Sequence, residues 1–188
     1  MRRRNMRMTL FRACLVSLCL IGIASATDAA APPKTTFYVS GIECGSCVYA
    51  VYQSVSETKG VAAVAVVQRI DNYANVTFDP KVLSEHQVAQ AVRDSYPLHG
   101  MPYLATLKLK MPEYAKHSAR IEAVFAKWKN LVKLECVDAA KGDLEIHFHP
   151  LKQDEKQKGP QGWSLALLTA ELKEPGINFS LAQEASDQ

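Results

Sequence analysis

Gly41-Ile42-Glu43-Cys44-Gly45-Ser46-Cys47 marks the place where the chain changes its period. Before it, residues 36–42 alternate in character and are rich in β-branched and aromatic types, which predicts a strand. After it, Val48, Val51, Tyr52 and Val55 recur at helical spacing, and Gly60 stops the helix. Residues 61–67 read as a second strand. Asp71-Asn72 turns the chain, and Ala74, Val76 and Phe78 alternate along a third strand. Ser84 with Gln87 three residues later forms a capping box. The helix that it starts runs to about Ser95, with Val88, Ala91 and Val92 on one face. The order is β-α-β-β-α.

Beyond that point the layout nearly repeats at a shift of 70 residues. Thr36 falls on Thr106, Val39 on Leu109, Val51 on Ile121, Val55 on Phe125 and Val64 on Leu134. Val76 falls on Ile146, Phe78 on Phe148 and Pro80 on Pro150. A polar insertion, residues 152–162, then moves the match of Ser84 to Ser164. Leu165, Leu168 and Leu172 supply a helix, and residues 177–181 a last strand. The fold expected is α+β: two tandem ferredoxin-like βαββαβ units, residues 35–103 and 104–182, each an antiparallel sheet with helices on one face. Residues 103–110 align with the first strand of the second unit. The first unit is then left with residues 97–102 for its fourth strand, where Pro97, Gly100 and Pro102 suit an edge at best. Either the strand is shared or the first unit ends irregularly.

The amino terminus predicts export. Arg2, Arg3, Arg4, Arg7 and Arg12 precede an apolar run, and Ala24-Ser25-Ala26 is a small-x-small cleavage signal. Residues 1–26 read as a secretory signal peptide cut after Ala26, with 27–34 a tether and a periplasmic or secreted destination. Loss of five basic residues out of 22 turns the formal charge of +3 into −2, since all 19 acidic residues remain. That balance argues against a nucleic-acid partner, and no later apolar stretch is long enough to span a membrane. Cys44, Cys47 and Cys136 remain, an odd number, so one thiol stays free or reactive.

Two cysteines separated by two residues at a helix start can turn both sulfurs toward one small ion. Helix N-terminal N–H groups favour the thiolate, the form that ligates and reacts. With no histidine nearby in sequence, the pair suits a soft, low-coordination ion such as Cu(I). A redox or structural disulfide uses the same spacing. Against that, no Trp precedes Cys44, and β-α-β-β-α is not the thioredoxin order.

The loop and the order of elements around it resemble the heavy-metal-associated domain family, whose loop reads Gly-Met-x-Cys-x-x-Cys. Copper chaperones, the N-termini of metal-pumping P-type ATPases and the periplasmic mercury carrier belong to that family. The resemblance covers about residues 35–103 and includes Val76-Thr77-Phe78-Asp79-Pro80. It implies Cys44 and Cys47 as metal ligands, and Tyr96, in Ser95-Tyr96-Pro97, as the aromatic beside the metal loop. Ile42 stands for the usual Met, a side chain that packs inward. Glu43 occupies the place where zinc- and cadmium-pumping relatives carry an Asp ligand, which makes Glu43 a candidate third ligand. The ions implied are Cu(I) first, then Zn(II), Cd(II) or Hg(II), and the implied partner is a metal-transporting ATPase or another metal-binding protein.

Elsewhere the chemistry is sparse. Cys136, in phase with Leu134, reads as a buried core thiol. Glu145, His147 and His149 share a strand face, more in keeping with a wet sheet surface than with a metal site. Tyr114 and His117 stand where Cys44 and Cys47 would fall in the repeat, so the second unit has lost the ligand pair. No Ser/His/Asp arrangement, Walker loop or His-Glu-x-x-His appears, so no enzyme is expected. The function expected is carriage or homeostasis of one soft metal ion, with a thiol-disulfide redox protein or a protein-interaction module as the alternatives.

Overall fold

The computed structural model describes residues 32–154 and 156–183. Residues 1–26, expected to be a signal peptide, and residues 27–31 of the expected tether lie outside the described residues. The elements run β1 (Lys34–Ser40), α1 (Gly45–Ser56), β2 (Val61–Val67), β3 (Tyr73–Phe78), α2 (Glu85–Asp94) and β4 (Leu104–Lys110). They continue as α3 (Tyr114–Ala126), β5 (Val132–Asp138), β6 (Asp143–Phe148), α4 (Leu165–Lys173) and β7 (Ser180–Leu181). The caps follow the sequence signals. Ser84 and Gln87 close the capping box in both directions, and Ser164, its counterpart in the repeat, accepts from the Leu167 N–H.

All seven strands form one antiparallel sheet in the order β2-β3-β1-β4-β6-β5, with β7 also on β4. β4 closes the first βαββαβ path and opens the second. One of its edges pairs with β6 along residues 106–110. The other is divided: β1 takes residues 104–106 and β7 takes Leu109 and Lys110. This division explains why β7 has two residues where five were expected, because β1 already occupies half the edge. Residues 97–102 form no strand, as the missing N–H groups of Pro97 and Pro102 dictate. The described residues fall within one compact unit, not two sheets side by side.

Period-2 patterning sends Phe37, Val39, Val76, Phe78, Leu107, Leu109, Ile146 and Phe148 to the helix side. There they join Val51, Val55, Val88, Val92, Ile121, Phe125, Leu168 and Leu172 in one continuous cluster. Five pairs matched by the 70-residue shift, Val39 and Leu109, Val51 and Ile121, Val55 and Phe125, Val76 and Ile146, and Phe78 and Phe148, all lie buried in that cluster. Trp163 is wholly buried at its centre, stacked on Phe125 with centroids 6.3 Å apart. The inserted segment is bound to the first turn of α2. Its Gln161 N–H donates to Gln87 Oε1 (2.9 Å), and just beyond it Trp163 N–H donates to His86 Nδ1 (3.2 Å). The other His86 nitrogen lies 2.8 Å from the His149 carbonyl, which fixes the neutral Nε2–H tautomer. Burial accordingly lowers the His86 pKa.

Cys136 departs from expectation, for it is exposed. β5 is an outer strand of the sheet, and the phase that buries residues of central strands leaves its far end uncovered. Glu145 and His147 do share the face away from the helices. His147 Nε2 lies 3.7 Å from Glu145 and 3.4 Å from Glu135. His149 does not join them and instead lines a cleft with Tyr114 and Cys136. No described helix is long and apolar enough to cross a membrane.

Candidate metal centre

The loop between β1 and α1 is shaped by two residues that carry no ligand. Gly41 has φ +89°, a left-handed conformation that favours glycine, and a Cβ there would stand 3.3 Å from Tyr103 Cδ1. Ile42 packs inward, 4 % exposed, as expected for the Met it replaces. Its carbonyl is held by the Asn72 side-chain amide at 2.8 Å. The chain is thereby anchored on one side of the thiols before the helix begins.

Cys44 is the N-cap of α1, in extended conformation, and its sulfur accepts from the Cys47 N–H at 3.4 Å. Cys47, in the first helical turn, is buried. The two Sγ atoms are 2.9 Å apart and both thiols are free. Burial pushes the Cys47 thiol up. Hydrogen bonds from Cys44, from the Tyr103 hydroxyl and from the main chain at Glu43 and Cys44 outweigh it, and the pKa falls from 9.0 to about 6. The helix N-terminus adds partial positive charge on the same side. Cys47 is therefore largely thiolate at neutral pH.

A third donor arrives from 55 residues away. His99 Nε2 lies 3.5 Å from Cys44 Sγ. The ligand atoms of Cys44, Cys47 and His99 all lie within 4.8 Å of one another, the one such group of three among the described residues. Two metal–sulfur bonds of about 2.3 Å span ~4.6 Å, so the three atoms can meet on a single ion. The sequence reading assigned no histidine to the site. The signal that was available lay in the loop before β4: Leu98-His99-Gly100-Met101 places an exposed imidazole on a glycine turn, and the sheet returns that turn to the metal loop.

Two residues implied by the resemblance are exposed. Tyr96 is 75 % exposed. The phenol beside the thiols belongs to Tyr103, which is 1 % exposed and hydrogen-bonded to Cys47. Residues 97–102, which form no strand, carry the chain the seven positions from Tyr96 to this phenol. Ser95 has φ −59°, so it stands in place of the family's glycine without strain. Glu43 is exposed and is not one of the three grouped ligands. In the second half of the sheet, Tyr114 and His117 occupy the first turn of α3, whose start has no side-chain cap. The Tyr114 hydroxyl donates to Glu122 at 3.1 Å. That end of the sheet holds a packed phenol where the first half holds two thiols.

Over 57 residues the chain is 39 % identical to the cation-transporting ATPase HMA5 of Oryza sativa, a match covering 30 % of this chain and 6 % of the ATPase. Over 60 residues it is 32 % identical to an uncharacterized protein of Haemophilus influenzae, covering 32 % of this chain and 85 % of that one. Among solved structures, the water-soluble region of the P-type ATPase CopA from Bacillus subtilis aligns with 83 % of this chain and 96 % of its own, at 17 % identity and a TM-score of 0.36. The profile of the heavy-metal-associated domain matches residues 36–96, the stretch that carries the thiol pair, and the chain belongs to that family.

Proposed function

We propose that this protein binds one Cu(I) ion per chain at Cys44, Cys47 and His99 and hands it to a partner by ligand exchange. The observation that carries the reading is the convergence of two thiols and an imidazole at the start of α1. A set of three donors, two of them thiolates, suits a soft ion of low coordination number. Structural Zn(II) prefers four ligands and would need a further donor. The gradation of exposure supports transfer. His99 is exposed, Cys44 half-buried and Cys47 buried, so an incoming thiolate displaces His99 first and Cys47 last. Export follows from the basic and apolar character of residues 1–26, and a metal-transporting ATPase or another metal-binding protein is the partner we propose. Residues 104–182 act as a second βαββαβ half that buttresses the first through β4 and carries no thiol pair of its own.

The test is a Cu(I) competition titration of anaerobically purified protein. One tight equivalent per chain is expected at neutral pH. Because Cys47 titrates near 6 in the free protein, protons compete with the ion for this thiol only below that value. The contribution of this thiol to the affinity should therefore be level above pH 6 and fall by roughly tenfold per unit as pH drops through it. A loss steeper than about tenfold per unit between pH 9 and pH 7 would need both thiols to take up protons there, and would contradict the assignment of Cys47 as a pre-formed thiolate. A thiol-disulfide function draws on the same lowered pKa. It predicts ready turnover with a disulfide substrate and no stoichiometric Cu(I) uptake.

Glu43 governs the choice of ion under this reading. If its carboxylate turns inward to complete a four-ligand set, Glu43→Thr should weaken Zn(II) binding by about 10- to 100-fold and leave Cu(I) nearly unchanged, because carboxylate oxygen is a hard donor. Equal effects on the two ions, or none, would remove Glu43 from the site.

A further inference from the structure

Tyr103 is buried beside the thiols, and its place there is built into the backbone. Its ring packs on Gly41, where any side chain would crowd it. Its hydroxyl has two neighbours: it donates to the Cys47 sulfur and accepts the Leu98 N–H at 3.5 Å. Leu98 precedes His99, and the segment between α2 and β4 that carries both has few other ties. Residues 96–102 are exposed. Gly100 N–H reaches Pro97 O at 3.4 Å, and Gly100 has open space around its Cα. Such a segment would hold His99 loosely by itself. The phenol hydroxyl is the fixed point between this loop and the metal loop.

We propose that Tyr103 is a positioning residue for His99: its hydroxyl ties the main chain at Leu98 to the Cys47 sulfur and so keeps the imidazole within reach of the ion. This rests on the metal-binding reading above. Tyr103 touches the ligands and never the ion, and its effect on affinity runs through His99. Loading the thiols and ordering the loop are then one event.

The hydroxyl can be removed without disturbing the ring, by Tyr103→Phe. In Cu(I) competition titrations, Tyr103→Phe should weaken binding by roughly tenfold, the lower range for residues that orient a ligand, and His99→Ala, which removes a ligand, by roughly a hundredfold. The double variant should be no weaker than His99→Ala, because the hydroxyl has nothing left to position. Wild-type affinity in Tyr103→Phe, or losses that multiply to about a thousandfold in the double variant, would overturn the proposal. X-ray absorption of the Cu(I)-loaded proteins should show a nitrogen neighbour in the wild type and a diminished one in Tyr103→Phe. An undiminished nitrogen shell would count against it. Hydrogen exchange of the Leu98 amide in metal-free protein gives a reading that does not depend on copper. Exchange at least fivefold faster in Tyr103→Phe is expected from loss of an amide hydrogen bond, and an unchanged rate would overturn the tether. Should wild-type protein take up no Cu(I), the functional reading falls, while Leu98 exchange still decides whether the hydroxyl holds the loop.

Discussion

Replacing both Cys44 and Cys47 by serine is expected to lower Cu(I) affinity by about four orders of magnitude while leaving the fold intact. Four-ligand zinc sites bind with roughly 10–16 kcal/mol, or ~3 kcal/mol per ligand. Two lost thiolates therefore remove about 6 kcal/mol, which is ~10⁴-fold. Serine oxygen does not recover this, because it is harder than sulfur and stays protonated. The fold should survive for a local reason. Cys44 is an N-cap whose side chain accepts from the Cys47 N–H, and serine performs that task at least as well. Cys47 is buried but small, and serine nearly matches its volume. Circular dichroism should be unchanged, and a competition titration should show His99 alone too weak to hold copper against the chelator. Full affinity in the double variant would place the site elsewhere, with Cys136 next to be tested.

The largest expected effect on stability lies far from the thiols, at Gly142. Its φ is +70°, and a Cβ there would overlap the Met111 carbonyl oxygen and stand 2.5 Å from the carbonyl carbon. Met111 follows β4, and its N–H donates to Gly142 O at 2.8 Å, so the contact joins the exit of β4 to the entry of β6. Backbone on both sides leaves no flexible group to yield. Gly142→Ala combines left-handed strain with a backbone clash, and about 3–5 kcal/mol of destabilisation is expected. In a unit of this size that lowers Tm by roughly 10 °C or more. Gly45→Ala is the control: no atom lies within 4 Å of the added methyl group, and thermal unfolding should move little. Equal midpoints for the two variants would show that the β4–β6 junction adapts. Because β4 serves both halves of the sheet, the loss at Gly142 should also loosen the loop carrying His99, on the other end of that strand.

The same shared strand shows why a cut between residues 103 and 104 does not separate two bodies. Ala105, Leu107 and Leu109 enter one core together with residues of β1 and of β6. The sequence pattern assigned this strand to the second unit and noticed the vacancy that this left in the first. Alternation records that a segment is a strand with one buried face. It does not record how many neighbours share its edges, because edge pairing is made by backbone groups that every residue carries alike.

By itself the sequence determined the order of the elements, the 70-residue correspondence of core positions, the caps at Ser84 and Ser164 and the thiol pair at the head of α1. All of these rest on interactions spanning a few residues: the periods of 3.6 and 2.0, a side chain reaching an amide three residues on, two sulfurs on one turn. The tertiary structure alone decided the rest. His99 meets Cys44 across 55 residues, and Tyr103 displaces Tyr96 as the phenol beside the thiols. Cys136 is exposed because its strand lies at the margin of the sheet, and β4 is shared because β1 and β7 divide one edge between them. Each of these depends on where a loop returns or on which strand lies outermost. Such facts belong to the closed sheet and leave no period in the chain that forms it.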